Sequence, residues 1–305
     1  MPELPEVEVV RRGIEPYSTG WRVERVEVFD ERALTRHPGP TEDFIETLTG
    51  REFLAAVRRG KFLWLPLSDT ETRQGEALVC HLGMSGQVLL GDEPSQFGPL
   101  LRVALELQGP DREEITWGFV DQRLFGSLAI DQMVEHTPGV PAGCGSDESR
   151  IPSQVAHIAR DLLDPAHDDQ AVAKAIRKKS SGIKRVLLDQ QVTSGVGNIY
   201  ADEALYATRL HYDYPANRLS QSRALELLGA VRDVFGRALD DGGTSFDWQY
   251  VNVNGQSGYF SQSLDAYGQD GTACGRCGRI IVREPFMNRS SFRCPRCQPR
   301  PRKRV

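Results

Sequence analysis

Several things are scarce in this chain, and each scarcity closes a door. No stretch approaches the roughly 20 consecutive apolar residues of a membrane-spanning helix. The first residues are acidic where a secretory signal would be basic and then apolar, so no export is expected and a cytosolic protein is. Histidine and cysteine number six each and methionine four. With so few cysteines over 305 residues, a disulfide framework is not what holds the chain together. The rest is ordinary: 39% hydrophobic and 26% charged, in a length that suits two or three domains with their own cores.

Acid is missing locally. The formal net charge is -5, yet from Cys274 onward there are ten Lys/Arg and a single acid, Glu284. A second run, Lys174 to Arg185 (KAIRKKSSGIKR), carries six basic residues and no acid. Single-sign patches of this kind are the electrostatic footprint of nucleic-acid binding. For the second run, a merely solvated face is the equal alternative.

The few cysteines are concentrated. Cys274 and Cys277 form one CxxC pair, and Cys294 and Cys297 form another after sixteen intervening residues. Two knuckles joined by a hairpin are the spacing of a four-thiolate zinc site. Four protein ligands leave the metal no open position, which makes one structural Zn2+ the expectation. Cys80 and Cys144 have no such partners.

Leu4, Val7, Val10 and Ile14 recur at helical spacing, so a first helix is expected from Pro5. Strand-like segments follow: RVERVEVF, FLAAV, KFLWLPL, ALVCHL, QVLL, LRVALELQ and EITWGFV. LRVALELQ alternates, with Leu101, Val103, Leu105 and Leu107 on one face. Residues 1–135 therefore read as a β-rich domain, sandwich or barrel, with a helix at its front. Residues 136–157, containing TPGVPAGCGSDESR, read as a linker. HIARDLLDP, DDQAVAKAIRKK, IKRVLLDQQ, NIYADEALYAT and SRALELLGAVRDVFGRALDDGG read as helices within 158–243. Residues 244–271 form a long loop of the kind that is usually functional; 272–298 are the metal finger and 299–305 a basic tail.

The opening MPELPEVE has a chemistry of its own. An α-amine titrates near 7.7 to 8.0 against about 10.4 for lysine, so it is a ready nucleophile at neutral pH. A secondary amine such as Pro2, freed by removal of Met1, condenses with an aldehyde-level carbon to give an iminium with no N–H to lose, a lasting electron sink. Glu3 beside it is placed to move protons. Glu6 falls in the first helical turn, where an acid also complements the helix dipole.

MPELPEVE, RRGKFLW, HLGMSG, DQRLFG, SGVGNIYADEAL and the terminal four-cysteine finger resemble, in order and over nearly the whole chain, the bacterial formamidopyrimidine-DNA glycosylases. The PELPEVE start points to that branch rather than to the related endonuclease VIII branch. The resemblance implies an α+β multidomain fold: an N-terminal helix and β-sandwich, a helix-two-turn-helix domain, and a zinc β-hairpin finger gripping damaged double-stranded DNA. It implies a monomer that excises oxidised purines and then cleaves the abasic site. On this reading Pro2 attacks C1' of the damaged nucleotide, Glu3 is the general acid, and Lys61 and Arg289 assist the chemistry. His81, Lys184 and Asn198 contact DNA. Met84, Arg123 and Phe125 fill the void left by the flipped nucleotide. Glu6, Ser257, Gly258 and Tyr259 surround the flipped base. Plainer roles exist for several: Lys61 as an exposed strand-end lysine, Met84 and Phe125 as core residues, SGVGN as a glycine turn.

The chain departs from the family's usual DPRRFG at Gln122 and Leu124, which bears on recognition of the opposing base. Two other readings stay open at this level. One is an endonuclease VIII-like enzyme for oxidised pyrimidines. The other is a non-catalytic zinc protein that binds DNA and whose N-terminus is only a helix start.

Overall fold

A computed structural model describes residues 2–243, 253–254 and 260–302. It divides into two compact units, one comprising residues 1–157 and 242–258, the other 158–241 and 259–305. Among the described residues no helix is long and apolar enough to cross a membrane.

The first unit opens with α1 (Leu4–Ile14), then β1 (Arg22–Val28), α2 (Thr41–Leu48), β2 (Val57–Arg59), β3 (Phe62–Pro66), β4 (Glu76–His81), β5 (Gly86–Gly91), β6 (Leu101–Gln108), β7 (Glu114–Asp121), β8 (Ser127–Glu135) and β9 (Arg150–Pro152). These make two antiparallel sheets, ordered β1-β6-β7-β5 and β2-β3-β4-β8-β9. A shared core runs between them, with Val23, Val103, Leu105, Trp117 and Phe119 from one sheet and Leu63, Leu65, Leu78, Cys80 and Leu128 from the other. The β-rich expectation is thus a sandwich. The alternation along β6 is present: Leu101, Val103, Leu105 and Leu107 are all buried. α1 adds Val7, Val10 and Ile14 to the same core and packs on β2 and β3.

Three local expectations need correction. The helix begins at Leu4, not Pro5, because Glu3 takes the N-cap position. FLAAV contributes only Val57 to a strand, Phe53 making an isolated bridge to Leu67. Residues 136–157 are no linker. β9 pairs with β8, and Arg58 and Cys144 exchange both backbone hydrogen bonds at 2.9 Å. The glycines that suggested flexibility serve close approach instead: a Cβ on Gly143 would stand 2.6 Å from the Arg58 carbonyl oxygen, and one on Gly145 2.2 Å from that of Ala56.

Within this unit Glu8 on α1 is a buried hub. Its carboxylate accepts from Arg58 at 2.8 Å, Arg12 at 2.9 Å and Arg11 at 3.1 Å. Burial alone would raise this carboxyl, but the Arg58 and Arg11 charges prevail and hold it below the usual range. Val253 also lies in this core, and its carbonyl accepts from the Leu90 N–H at 2.9 Å.

The second unit contains α3 (Asp169–Arg177), α4 (Ile183–Leu187), α5 (Asn198–Ala207), α6 (Gln221–Asp240) and a hairpin of β10 (Val282–Phe286) and β11 (Arg289–Arg293). α3 and α6 start on side-chain caps, Asp168 accepting from the Ala171 N–H and Ser220 from the Arg223 N–H. α6 packs on α3 and α5, with Tyr200 of α5 edge-on to Phe235. HIARDLLDP does not form the expected helix. Asp161 and Asp164 accept from the backbone N–H of Leu163 at 3.1 Å and Ala166 at 2.8 Å, and these local turns outcompete a helix.

Candidate functional site

The first turn of α1 is built from its own carboxyls. The Glu3 N–H donates to Glu6 Oε2 at 2.8 Å, and the Glu3 carboxylate accepts from the Glu6 N–H, a reciprocal capping box. Pro2 and both glutamates are buried, Glu3 completely. Glu6 therefore does more than complement a dipole: it fixes the backbone next to Pro2. Gly243, at φ +88°, lies against it, a Cβ there falling 3.4 Å from Glu6 Cγ.

Lys61 sits at the tip of the β2–β3 hairpin, after Gly60 at φ +56°, and is half-buried. Phe62, the next residue, pairs across the ladder with His81 at the end of β4. The Gly83 N–H donates to His81 Nδ1 at 3.2 Å, so the ring proton resides on Nε2. Burial, helped by Arg36 and Lys61, pushes this imidazole down to about 4. His81 is thus a neutral donor at physiological pH.

Met84 and Phe125 are not core residues. They are 39% and 53% exposed, among few large apolar side chains that are, and the Arg123 guanidinium lies 4.9 Å from the Phe125 ring centre. The loops that carry them are locked together by Asp121, a residue not foreseen from the sequence. Its carboxylate accepts from Ser85 Oγ at 2.5 Å, from the Arg123 N–H at 3.1 Å and from the Gly126 N–H at 2.8 Å. Gly83 permits the crossing, since a Cβ would meet the Phe125 carbonyl oxygen at 2.2 Å. Leu124, where the sequence departs from the family pattern, occupies φ +55° between the two exposed residues.

In the second unit, Lys184 corrects an expectation. It is fully buried, with Nζ 2.7 Å from Asp202 Oδ1 and 4.8 Å from the Phe286 ring centre. Its ammonium also approaches the Ser290 carbonyl oxygen at 3.5 Å, the same acceptor that Asn198 Nδ2 reaches at 3.0 Å. Asp202 further accepts from Ser291 Oγ at 2.7 Å and the Phe292 N–H at 2.9 Å. Lys184 and Asn198 therefore hold the start of β11, and with it the position of Arg289, which is exposed at the head of that strand. Asp202, the hub of this network, lies inside the SGVGNIYADEAL motif, which marks its position but not its partners. Asn198 opens α5 as the SGVGN motif suggested, and its Oδ1 is buried without a partner among the described residues. Ser257, Gly258 and Tyr259 lie outside the described residues.

The four cysteines of the finger meet, each sulfur within 4.8 Å of the others. Sulfur separations of 3.5 Å (Cys277–Cys294), 3.6 Å (Cys277–Cys297) and 4.0 Å (Cys274–Cys297) are far from the roughly 2.05 Å of a disulfide. They match the about 3.8 Å edge of a thiolate tetrahedron with 2.3 Å metal–sulfur bonds. The knuckles are shaped by the Gly278 N–H donating to the Cys274 carbonyl at 2.8 Å and the Gln298 N–H to that of Cys294 at 2.9 Å. The cluster is fit to hold a metal ion.

Comparison with known proteins agrees with this geometry. Residues 1–128 match the formamidopyrimidine-DNA glycosylase N-terminal domain and residues 158–249 the formamidopyrimidine-DNA glycosylase H2TH domain. A formamidopyrimidine-DNA glycosylase of Leifsonia xyli subsp. xyli is 57% identical over 98% of this chain and 99% of its own. Among solved structures, a Lactococcus lactis FPG mutant in complex with a Fapy-dG-containing DNA superposes with a TM-score of 0.80 at 25% identity, covering 98% of this chain and 100% of that one. MutM in complex with carbocyclic 8-oxo-G-containing DNA superposes at 0.79 with 26% identity, over the same shares. Sequence and fold converge, and the chain belongs to the formamidopyrimidine-DNA glycosylase family.

Proposed function

We propose that this chain is a bifunctional DNA glycosylase and abasic-site lyase of base excision repair, acting on oxidised purines in duplex DNA through Pro2. The first turn of α1 carries the reading: Pro2 is buried immediately before Glu3, whose backbone and carboxylate are both held by Glu6, an arrangement that DNA binding alone does not require. Once Met1 is removed, the Pro2 amine attacks C1' of the flipped nucleotide and the oxidised base leaves. The amine has only one hydrogen to lose, so the adduct collapses to a cationic iminium. Glu3 is the proton donor and acceptor during ring opening, and Glu6 holds it in register. Elimination of the 3' phosphate and then the 5' phosphate frees the sugar remnant from the strand, and water then hydrolyses the iminium to release it and return the Pro2 amine.

Met84, Arg123 and Phe125 occupy the vacated stack. Lys61 and His81 contact backbone phosphate, and Arg289 is presented to the DNA by the hairpin. The fit of the four thiolates favours Zn2+, held by Cys274, Cys277, Cys294 and Cys297; with all four positions taken, the ion supplies structure and no chemistry. The cellular setting that suits this activity is the bacterial cytosol, with the protein working as a monomer on the nucleoid.

Matched structures are held with Fapy-dG and 8-oxo-G and also with an oxidised pyrimidine, so the purine reading rests on membership of the formamidopyrimidine branch rather than on the lesions those structures carry. A panel of duplexes with 8-oxoguanine, formamidopyrimidine and an oxidised pyrimidine tests this. The expected product is a one-nucleotide gap with phosphate at both ends, formed fastest from the purine lesions. Preference for the pyrimidine would overturn the substrate class. Binding without strand cleavage of any lesion or of abasic DNA, by protein lacking Met1, would overturn the enzyme.

A further inference from the structure

The edge of the first unit that carries Lys61 and His81 presents a third cation. Arg36 is exposed, and its guanidinium carbon stands 5.5 Å from the centre of the Phe62 ring. The same ring packs against His81 at 4.7 Å between centroids, and Lys61 is its chain neighbour. A guanidinium, an ammonium and an imidazole N–H donor thus share one aromatic residue. Their proximity is visible electrostatically, since Arg36 and Lys61 both act on the His81 ring, after burial.

What surrounds Arg36 is as telling as what it touches. In this unit arginines are habitually matched with acids: Arg11 and Arg58 with Glu8, Arg32 with Asp30, Arg51 with Glu76, Arg73 with Asp43. Among the described residues Arg36 has no carboxylate partner. A guanidinium left without an acid beside another cation is electrostatically unfavourable until an anion arrives. Phe62 holds it through a cation–π contact, so less rotamer freedom is lost on binding.

We infer that Arg36 joins Lys61 and His81 in gripping a phosphodiester of the DNA backbone, with Arg36 supplying the two-pronged donor that an ammonium and an imidazole lack. This rests on the reading that Lys61 and His81 face DNA, and it adds a residue outside the motifs that suggested it. Phe62 sets the spacing: its ring orients Arg36, its backbone follows Lys61, and its ladder partner is His81.

The test is binding of a duplex carrying a non-cleavable abasic analogue, followed by anisotropy between about 50 and 200 mM salt, for wild type, Arg36→Gln, Arg36→Lys, Lys61→Gln and His81→Gln. Arg36→Gln is expected to weaken binding about tenfold near 150 mM salt and to reduce the slope of log affinity against log salt by about 0.9. Arg36→Lys should keep the slope and lose part of the affinity. Because Arg36 is exposed, its variants should melt with wild type, which separates lost grip from lost fold. Wild-type slope and affinity in Arg36→Gln, alongside clear losses in Lys61→Gln and His81→Gln, would overturn the Arg36 assignment and leave the DNA-facing edge intact. If none of the three neutral variants shifts binding, the DNA-facing edge itself is wrong and the inference falls with it.

Discussion

Lys61 and Lys184 look alike as sequence: each is a basic residue in a glycine-containing motif, and each reads as a phosphate contact. Their settings are opposite. Lys61 rides a two-residue turn at the edge of a sheet, half-buried beside an exposed arginine. Lys184 lies in the interior of the helical unit, its charge met by Asp202 and its side chain covered by Phe286. One lysine stands at a solvent-facing turn, and the other uses its charge to dock a hairpin. A basic run is therefore two kinds of statement at once, about grip and about framework, and burial is what separates them.

The largest expected effect follows from that contrast. Asp202→Asn strands the Lys184 ammonium in the interior and should cost about 3 to 5 kcal/mol of stability in denaturant titration. Lys61→Gln should change it by less than about 0.5 kcal/mol. Replacing the pair together, Lys184→Met with Asp202→Leu, should restore only part of the loss: the stranded ammonium is gone, but Ser291 Oγ and the Phe292 N–H still lose their acceptor. Equal effects at Lys61 and Asp202 would break the distinction.

Glu8 gives the corresponding test in the first unit. Glu8→Gln leaves Arg58, itself completely buried, without its carboxylate and should cost about 3 kcal/mol. The sign of the pH dependence is fixed by the lowered Glu8 carboxyl. A group held below its unfolded value stabilises the fold above about 4.5, and that contribution disappears as pH falls through the folded value. Wild type should lose stability on acidification below about 4.5, and the variant should show a shallower acid slope in the same titration.

The smallest effect concerns the hairpin tip. Met287 sits at φ +53° and is 63% exposed, a conformation that glycine adopts freely. Met287→Gly should raise the melting temperature slightly, by at most about 1 kcal/mol in free energy after the entropic cost of glycine is deducted. A drop in stability would show that the side chain packs in a way its exposure does not suggest.

What the sequence revealed had its meaning in short range. The two CxxC pairs and the alternation in β6 are relations among near neighbours, and both reappear in the structure, as four clustered sulfurs and a buried strand face. Helix α1 was one residue longer because Glu3 could cap it. What stayed hidden needed distant residues to meet. Asp121 organises two loops that precede and follow three strands, and Asp202 holds a hairpin some ninety positions further on. Arg36 meets Phe62 only because the sheet brings them together. Gly143 and Gly145 misled for the same reason: composition marks glycine, but only packing tells a hinge from a close approach.

The central claim, that the covalent bond to DNA is made at Pro2 and at no residue of the second unit, is tested most directly by borohydride trapping on 8-oxoguanine and abasic duplexes with wild type, Pro2→Gly and Arg289→Ala. Wild type should give an adduct mapping to the N-terminal proline on both substrates. Pro2→Gly should lose that proline adduct, and Arg289→Ala should trap more slowly at the same residue. An adduct on any lysine in protein whose mass confirms loss of Met1, or undiminished trapping without Pro2, would contradict the claim.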